Sequence, residues 1–144
     1  MGDSILVFGG GPLQLSIIKQ VNLMGFQSIV IDPDGDAPDK YVASKFIKVA
    51  GNDFATTRQI AIENNVKGII TSATDKPILM MCRIAEALHF PFPSYQSCET
   101  MLDKARFKAF LKTNNFPHAN GQVYQGDEGV TEMDLNYPVI VKPV

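Results

Sequence analysis

Three consecutive glycines, Gly9, Gly10 and Gly11, are the residues of this chain whose type and spacing most directly imply chemistry. They follow a short apolar run at residues 5–8 and precede Pro12 and a stretch in which Leu13, Ile17, Val21 and Met24 recur at helical spacing. The pattern is strand, tight turn, helix. Glycine lets the backbone pass through positive φ and come close to a ligand. The first N–H groups of a helix have no partner within it and lie at the positive end of its dipole, and Pro12 suits the first helical position because it needs no N–H there. The loop is therefore a candidate anion site, with a simple chain reversal as the alternative. Two carboxylates stand in comparable places. Asp32 ends an apolar run at residues 29–31, and Asp75 follows another at residues 68–71.

The elements that must position these groups alternate along the chain. Gly25 stops the first helix, and residues 27–32 form a second strand that runs into a turn-rich segment with Asp34, Gly35 and Pro38. A short helix is expected at residues 41–44 and a third strand through Phe46, Ile47 and Val49. Asn52 or Asp53 caps a helix bearing Phe54, Ile60, Ala61 and Ile62. After the fourth strand comes a helix with Ile78, Met81, Cys82, Ala85 and Leu88 on one face, and the Met80–Met81 pair reads as core filling. Asp75 reads first as the cap of that helix, with ligand contact as the alternative. Alternation of this kind predicts an α/β fold with an open, mostly parallel, Rossmann-like sheet and helices on both faces. Ligands of such sheets bind beyond the carboxyl ends of the strands, so the glycine loop, Asp32 and Asp75 are expected to line one crevice.

The pattern changes after His89. A helix is expected around residues 97–102, and Asp103 caps another bearing Phe107, Phe110 and Leu111. Residues 122–124 read as a strand, residues 126–136 as a loop, and residues 139–141 as an apolar strand. That last strand has no hairpin partner nearby, which leads us to expect a piece of a longer protein.

Composition narrows the function. With 13 Lys and Arg against 15 Asp and Glu, a net charge of −2 and no block of like charge, there is no electrostatic footprint for nucleic acid. No apolar run approaches a membrane span and no signal core is evident, so a soluble cytoplasmic protein is expected. Cys82 and Cys98 are too far apart for a Cys-x-x-Cys motif and read as reduced thiols, and His89 and His118 lack the neighbours of a metal site. A dinucleotide site is the familiar rival, since Gly9, Gly11 and Asp32 match its first two glycines and its ribose-binding acid. Its third glycine is replaced by Gln14, where a side chain would disturb helix-to-strand packing. A binding module without chemistry remains the other alternative.

Four segments in order resemble the start of an ATP-grasp ligase. They are Gly-Gly-Gly-Pro-Leu-Gln from Gly9, Ile-Asp-Pro-Asp-Gly-Asp-Ala-Pro around Asp32, Asp-Lys-Ala-Arg-Phe-Lys around Lys104, and Tyr-Pro-Val-Ile-Val-Lys-Pro around Lys142. The first two are similar to those of the enzyme that carboxylates aminoimidazole ribonucleotide. The segment ending at Asp75 looks more like carbamoyl-phosphate-synthase-like and phosphoribosylamine–glycine-ligase-like members.

The resemblance implies a pre-ATP-grasp domain at residues 1–93, followed at residues 94–144 by linker helices and the first elements of the ATP-grasp region. It implies ATP and Mg2+ as cofactors, with the magnesium ligands outside this sequence. Lys104 and Lys142 fall to the ATP side. Gly9, Gly10, Gly11, Gln14, Asp32 and Asp75 fall to the side of a small carboxylate or phosphorylated substrate. The implied chemistry is activation of a carboxylate as an acylphosphate for attack by an amine or other nucleophile. No catalytic residue is assigned within the chain, which is expected to be inactive alone, and a homodimer is left open.

Overall fold

The computed structural model describes residues 2–123 and 138–142. Four strands, β1 (Ser4–Phe8), β2 (Gln27–Asp32), β3 (Lys45–Lys48) and β4 (Val66–Ile70), form one sheet in the order β3-β2-β1-β4. Every pairing is parallel, with Leu6 opposite both Ile29 and Ile69. In β1 and β2 buried side chains point to both faces, as expected of parallel strands covered on either side.

The chain steps outward from β1 to β2 to β3, then reverses and lays β4 on the other side of β1. Because parallel crossovers are right-handed, opposite stepping directions put their helices on opposite faces. The packing agrees. Ile18 and Val21 of α1 (Leu15–Leu23) meet Val7 and Val30 on one face. Ile60 and Ala61 of α2 (Phe54–Glu63), with Met80, Met81 and Ile84 of α3 (Ile78–Leu88), meet Leu6, Phe8, Ile29 and Ile31 on the other. The methionine pair fills the core as expected, and each fully buried aliphatic side chain contributes about 1.5–3 kcal/mol.

Local signals set several boundaries. Asp53 caps α2, its Oδ1 accepting the Thr56 N–H at 3.0 Å. Beyond α1, Gly25 adopts φ +85° and the Phe26 N–H reaches back to the Val21 carbonyl at 3.3 Å, closing the helix in a Schellman-type end.

Contacts divide the chain into two units, Met1–Cys98 and Glu99–Val144. Helix α4 (Tyr95–Leu102) carries the division, and α5 (Lys104–Thr113) lies in the second unit. Asp103 caps α5 as expected, accepting the Ala105 and Arg106 N–H groups at 2.9 Å, and Arg106 pairs with Glu99 at 2.9 Å. Among the described residues, no helix is long and apolar enough to cross a membrane.

Some expectations are corrected. Pro12 does not open α1: residues 11–14 form a turn, closed by the Gln14 N–H on the Gly11 carbonyl at 2.8 Å, and the helix begins at Leu15. The buried stripe shifts accordingly to Gln14, Ile18 and Val21, leaving Leu13 and Met24 exposed. The short helix expected at residues 41–44 is a 3-10 turn at Pro38–Tyr41, started by the fixed φ of Pro38. Residues 139–141 form no strand, because no described strand offers them a ladder, and Ile140 and Val141 are exposed. Gln122 and Val123 are likewise not in a strand, and Tyr124 and the loop at 126–136 lie outside the described residues.

Cys82 on α3 and Cys98 on α4 are both buried free thiols. Burial, reinforced by the neighbouring Cys98, pushes the Cys82 thiol up to about 12. Its neutral form is therefore favoured by folding. That stabilisation is complete below the ordinary thiol value of 9.0 and is lost as pH rises towards about 12. Iodoacetamide at pH 8 should leave Cys82 unmodified in the folded chain and alkylate it once urea unfolds the protein. Modification of Cys82 in the folded chain as fast as in a free peptide would contradict this placement.

Candidate functional site at the carboxyl edge of the sheet

A cleft of about 520 Å³ opens at the carboxyl ends of the strands. Its walls include Gly9 after β1, Asp32 at the end of β2, Gly51 after β3, and Ala73 and Lys76 after β4. The crevice expected for such a sheet is present, and it lies where the strand order reverses.

The glycine loop is tied down on both sides. Gly9 has φ +101° and gives its N–H to the Ile31 carbonyl at 2.9 Å. Gly10 gives its N–H to Asp32 Oδ2 at 2.8 Å, while Asp32 Oδ1 accepts the Asp34 N–H at 2.8 Å. Asp32 thus braces both the loop and its own turn. Towards β4, Gln14 is buried and its Nε2 donates to the Ser72 carbonyl at 2.6 Å. The Ser72 hydroxyl donates in turn to the Leu13 carbonyl at 2.9 Å, and that of Thr71 to the Phe8 carbonyl at 2.7 Å. The positive φ of Gly9 favours glycine at this position, and a Cβ there would press on the Gln14 side chain at 3.1 Å.

This geometry redistributes the donors available to a ligand. The Gly9 and Gly10 N–H groups are spent within the protein. Gly11 and the start of α1, which has no side-chain cap, give theirs to no acceptor among the described residues. Gln14, standing where a dinucleotide site has its third glycine, fills the space beneath the loop with a buried side chain. That is the physical objection to a pyrophosphate there.

Of the residues singled out from the sequence, Gly9, Gln14 and Asp32 line the cleft, and Gly10 and Gly11 complete the loop above Gln14. Asp75 is exposed and is not on the cleft wall. It does not cap α3 either, since Pro77 occupies the helix boundary and only the Asp75 carbonyl is engaged, by the Ile78 N–H at 3.2 Å. Lys104, the first residue of α5, and Lys142 are exposed in the second unit.

Sequence reasoning missed Lys76, Thr57 and Ala73. Thr57 is buried, with its hydroxyl on the Asp53 carbonyl at 2.7 Å, and Ala73 holds φ +54°. A non-glycine residue in that conformation costs on the order of 1 kcal/mol or more, and such residues gather at functional sites. The strain cannot be read from the alanine alone.

Asp32→Ala should remove both backbone bonds and destabilise the first unit by about 2 kcal/mol. Amide hydrogen exchange should show lost protection at Gly10 and Asp34 while Leu6 and Val30 stay protected. Unchanged protection at Gly10 would contradict the bracing role.

No protein-family model matches the chain. In sequence it is 27% identical over 148 residues to the N5-carboxyaminoimidazole ribonucleotide synthase of Staphylococcus haemolyticus, and 29% identical to that of Staphylococcus saprophyticus. Each match takes in 98% of this chain but 37% of the relative, so the chain spans little more than a third of these proteins' length. In structure it resembles N5-carboxyaminoimidazole ribonucleotide synthetase from Thermotoga maritima, with a TM-score of 0.65 and 25% identity over 81% of this chain and 32% of the other. It shares its fold with phosphoribosylglycinamide synthetase from Anaerococcus prevotii, with a TM-score of 0.68 and 21% identity over 78% of this chain and 29% of that one. The sequence motifs, the parallel sheet and these likenesses agree that the chain resembles part of an ATP-grasp ligase.

Proposed function

We propose that this chain is the N-terminal part of an ATP- and magnesium-dependent ligase. The ligase activates a carboxylate as an acylphosphate, and an amine of a small metabolite attacks it. The observation that carries this reading is a sequence match running along 98% of the chain to synthases of one named activity, combined with a cleft at the sheet's carboxyl edge. A structure similar to this chain, the Staphylococcus aureus N5-carboxyaminoimidazole synthetase at 24% identity, is described as complexed with ADP.

The roles divide along the chain. In the expected pre-ATP-grasp domain, residues 1–93, the cleft under Gly9, Gly10, Gly11 and Gln14 receives the substrate. Asp32 contributes acceptor capacity, and Asp75, exposed and next in sequence to Lys76 of the cleft wall, is kept as a candidate substrate contact. In the segment 94–144, Lys104 and Lys142 serve the phosphates of ATP. Fixed positive charge suits that task, because phosphoryl transfer is accelerated mainly by positioning and by neutralising charge in a water-poor site. The magnesium-binding acids lie in sequence beyond this chain, which by itself binds substrate without turnover. The protein works in the cytoplasm. Aminoimidazole ribonucleotide is the first acceptor to test, because it is the one implied by the names of the curated relatives.

The full-length parent should form ADP from ATP only when both a carboxylate or bicarbonate donor and the correct amine are present. Lys142→Ala should weaken ATP binding at least about tenfold through loss of one charge-assisted phosphate contact. Absence of ADP formation with every donor and amine, together with unchanged ATP affinity in Lys142→Ala, would overturn the ligase reading.

A further inference from the structure

The cleft carries opposite charges on opposite sides of the glycine loop. In the order β3-β2-β1-β4, β1 and its loop lie between β2, which ends in Asp32, and β4, whose following loop supplies Lys76. Two interstrand spacings separate these flanking strands, about 10 Å. Asp32 is the one acidic residue and Lys76 the one basic residue among those lining the cleft, and neither takes part in an ion pair among the described residues. The rest of the wall is largely apolar or uncharged, with Phe8, Leu13 and Ile31 on it.

The hydrogen bonds decide which end of a ligand goes where. Gly9 and Gly10 point no free amide at the cleft, because their N–H groups are held by Ile31 and by Asp32 itself. An anion on that side would face the Asp32 carboxylate without compensation. Each Asp32 oxygen accepts one backbone N–H and keeps a second acceptor position, so this wall suits a hydroxyl or an amine. On the β4 side, Lys76 offers three donors and a full positive charge with no partner among the described residues.

We propose that the cleft orients its ligand by charge. Lys76 takes a phosphate or carboxylate at one end, and Asp32 takes hydroxyl or amine donors at the other. The ligand class is a small polyol or amine that carries one anionic group within about 10 Å of its donors, a size that a cleft of about 520 Å³ accommodates. The proposal rests on the reading that this cleft holds the small-molecule substrate, and adds the direction in which it lies. Lys76 is then a specificity-determining residue, one that belongs to the loop after β4 and not to the glycine loop.

The test is an amide-resolved NMR titration of the 144-residue chain with ribose 5-phosphate, ribonate and ribose as probes. Ribose 5-phosphate should shift the amides of Thr74 and Lys76 and that of Asp34, marking the two ends. Lys76→Met, a change at an exposed position, should weaken the anionic probe about tenfold, the loss expected for one unscreened charge contact, while Lys76→Arg restores it to within a few-fold. Ribose should bind equally weakly to all three proteins. Comparing ribose 5-phosphate with ribonate shows whether phosphate or carboxylate is the preferred anion. Equal affinity of the anionic probes for the parent chain and Lys76→Met would overturn the proposal, as would no binding of any probe to the parent chain. Should the full-length parent nevertheless form ADP as described above, the ligase reading stands and only the charge orientation fails.

Discussion

The 2.8 Å hydrogen bond from the Gly10 amide to the Asp32 carboxylate is the contact on which the site's geometry depends. It joins the turn after β1 to the end of β2, and its partner on the other side, Gln14 to the Ser72 carbonyl at 2.6 Å, joins the same turn to the segment after β4. A glycine-rich loop left to itself would sample many conformations, since glycine restricts its backbone so little. Here three adjacent strand ends hold it in one. The parallel sheet makes this arrangement available, because reversal of the stepping direction at β1 leaves a gap between crossovers that neither face's helices fill.

The bracing also changes what the loop does. A run of three glycines before a helix invites the picture of backbone amides wrapped around a phosphate. The structure gives two of those amides to internal acceptors and places a carboxylate beside them. Under the proposed function the loop is the shaped floor of a substrate cleft, with charge recognition at its flanks and nucleotide binding at the later lysines. Gln14, in place of a dinucleotide site's third glycine, fits that proposal, because its buried side chain occupies the space beneath the loop.

Much of the fold was legible because its signals are local. Residues 5–8 and 29–31 are continuous apolar runs bounded by turn residues, and both became buried parallel strands. Asp53 and Asp103 stand just before helical patterns, and both became caps. Gly25 terminated α1 through positive φ, as expected. The failures have tertiary causes. Helix α1 starts at Leu15 and not at Pro12 because Gln14 must sit beneath the loop to reach Ser72, a partner far away in sequence. Residues 139–141 have strand composition, but a strand exists only where another offers its ladder. Lys76 gave no local sign of its position, since nothing in the sequence distinguishes it from a solvated lysine until β4 is placed beside β1.

The proposed division puts the acceptor substrate in the cleft between Asp32 and Lys76 and the nucleotide elsewhere. The decisive measurement is a crystal structure of the full-length parent with both ADP and its acceptor bound. Acceptor density is expected over the glycine loop, with its anionic end at Lys76 and the ADP phosphates at Lys104 and Lys142. ADP seated in this cleft, with its phosphates on Gly11 and the first turn of α1, would contradict it.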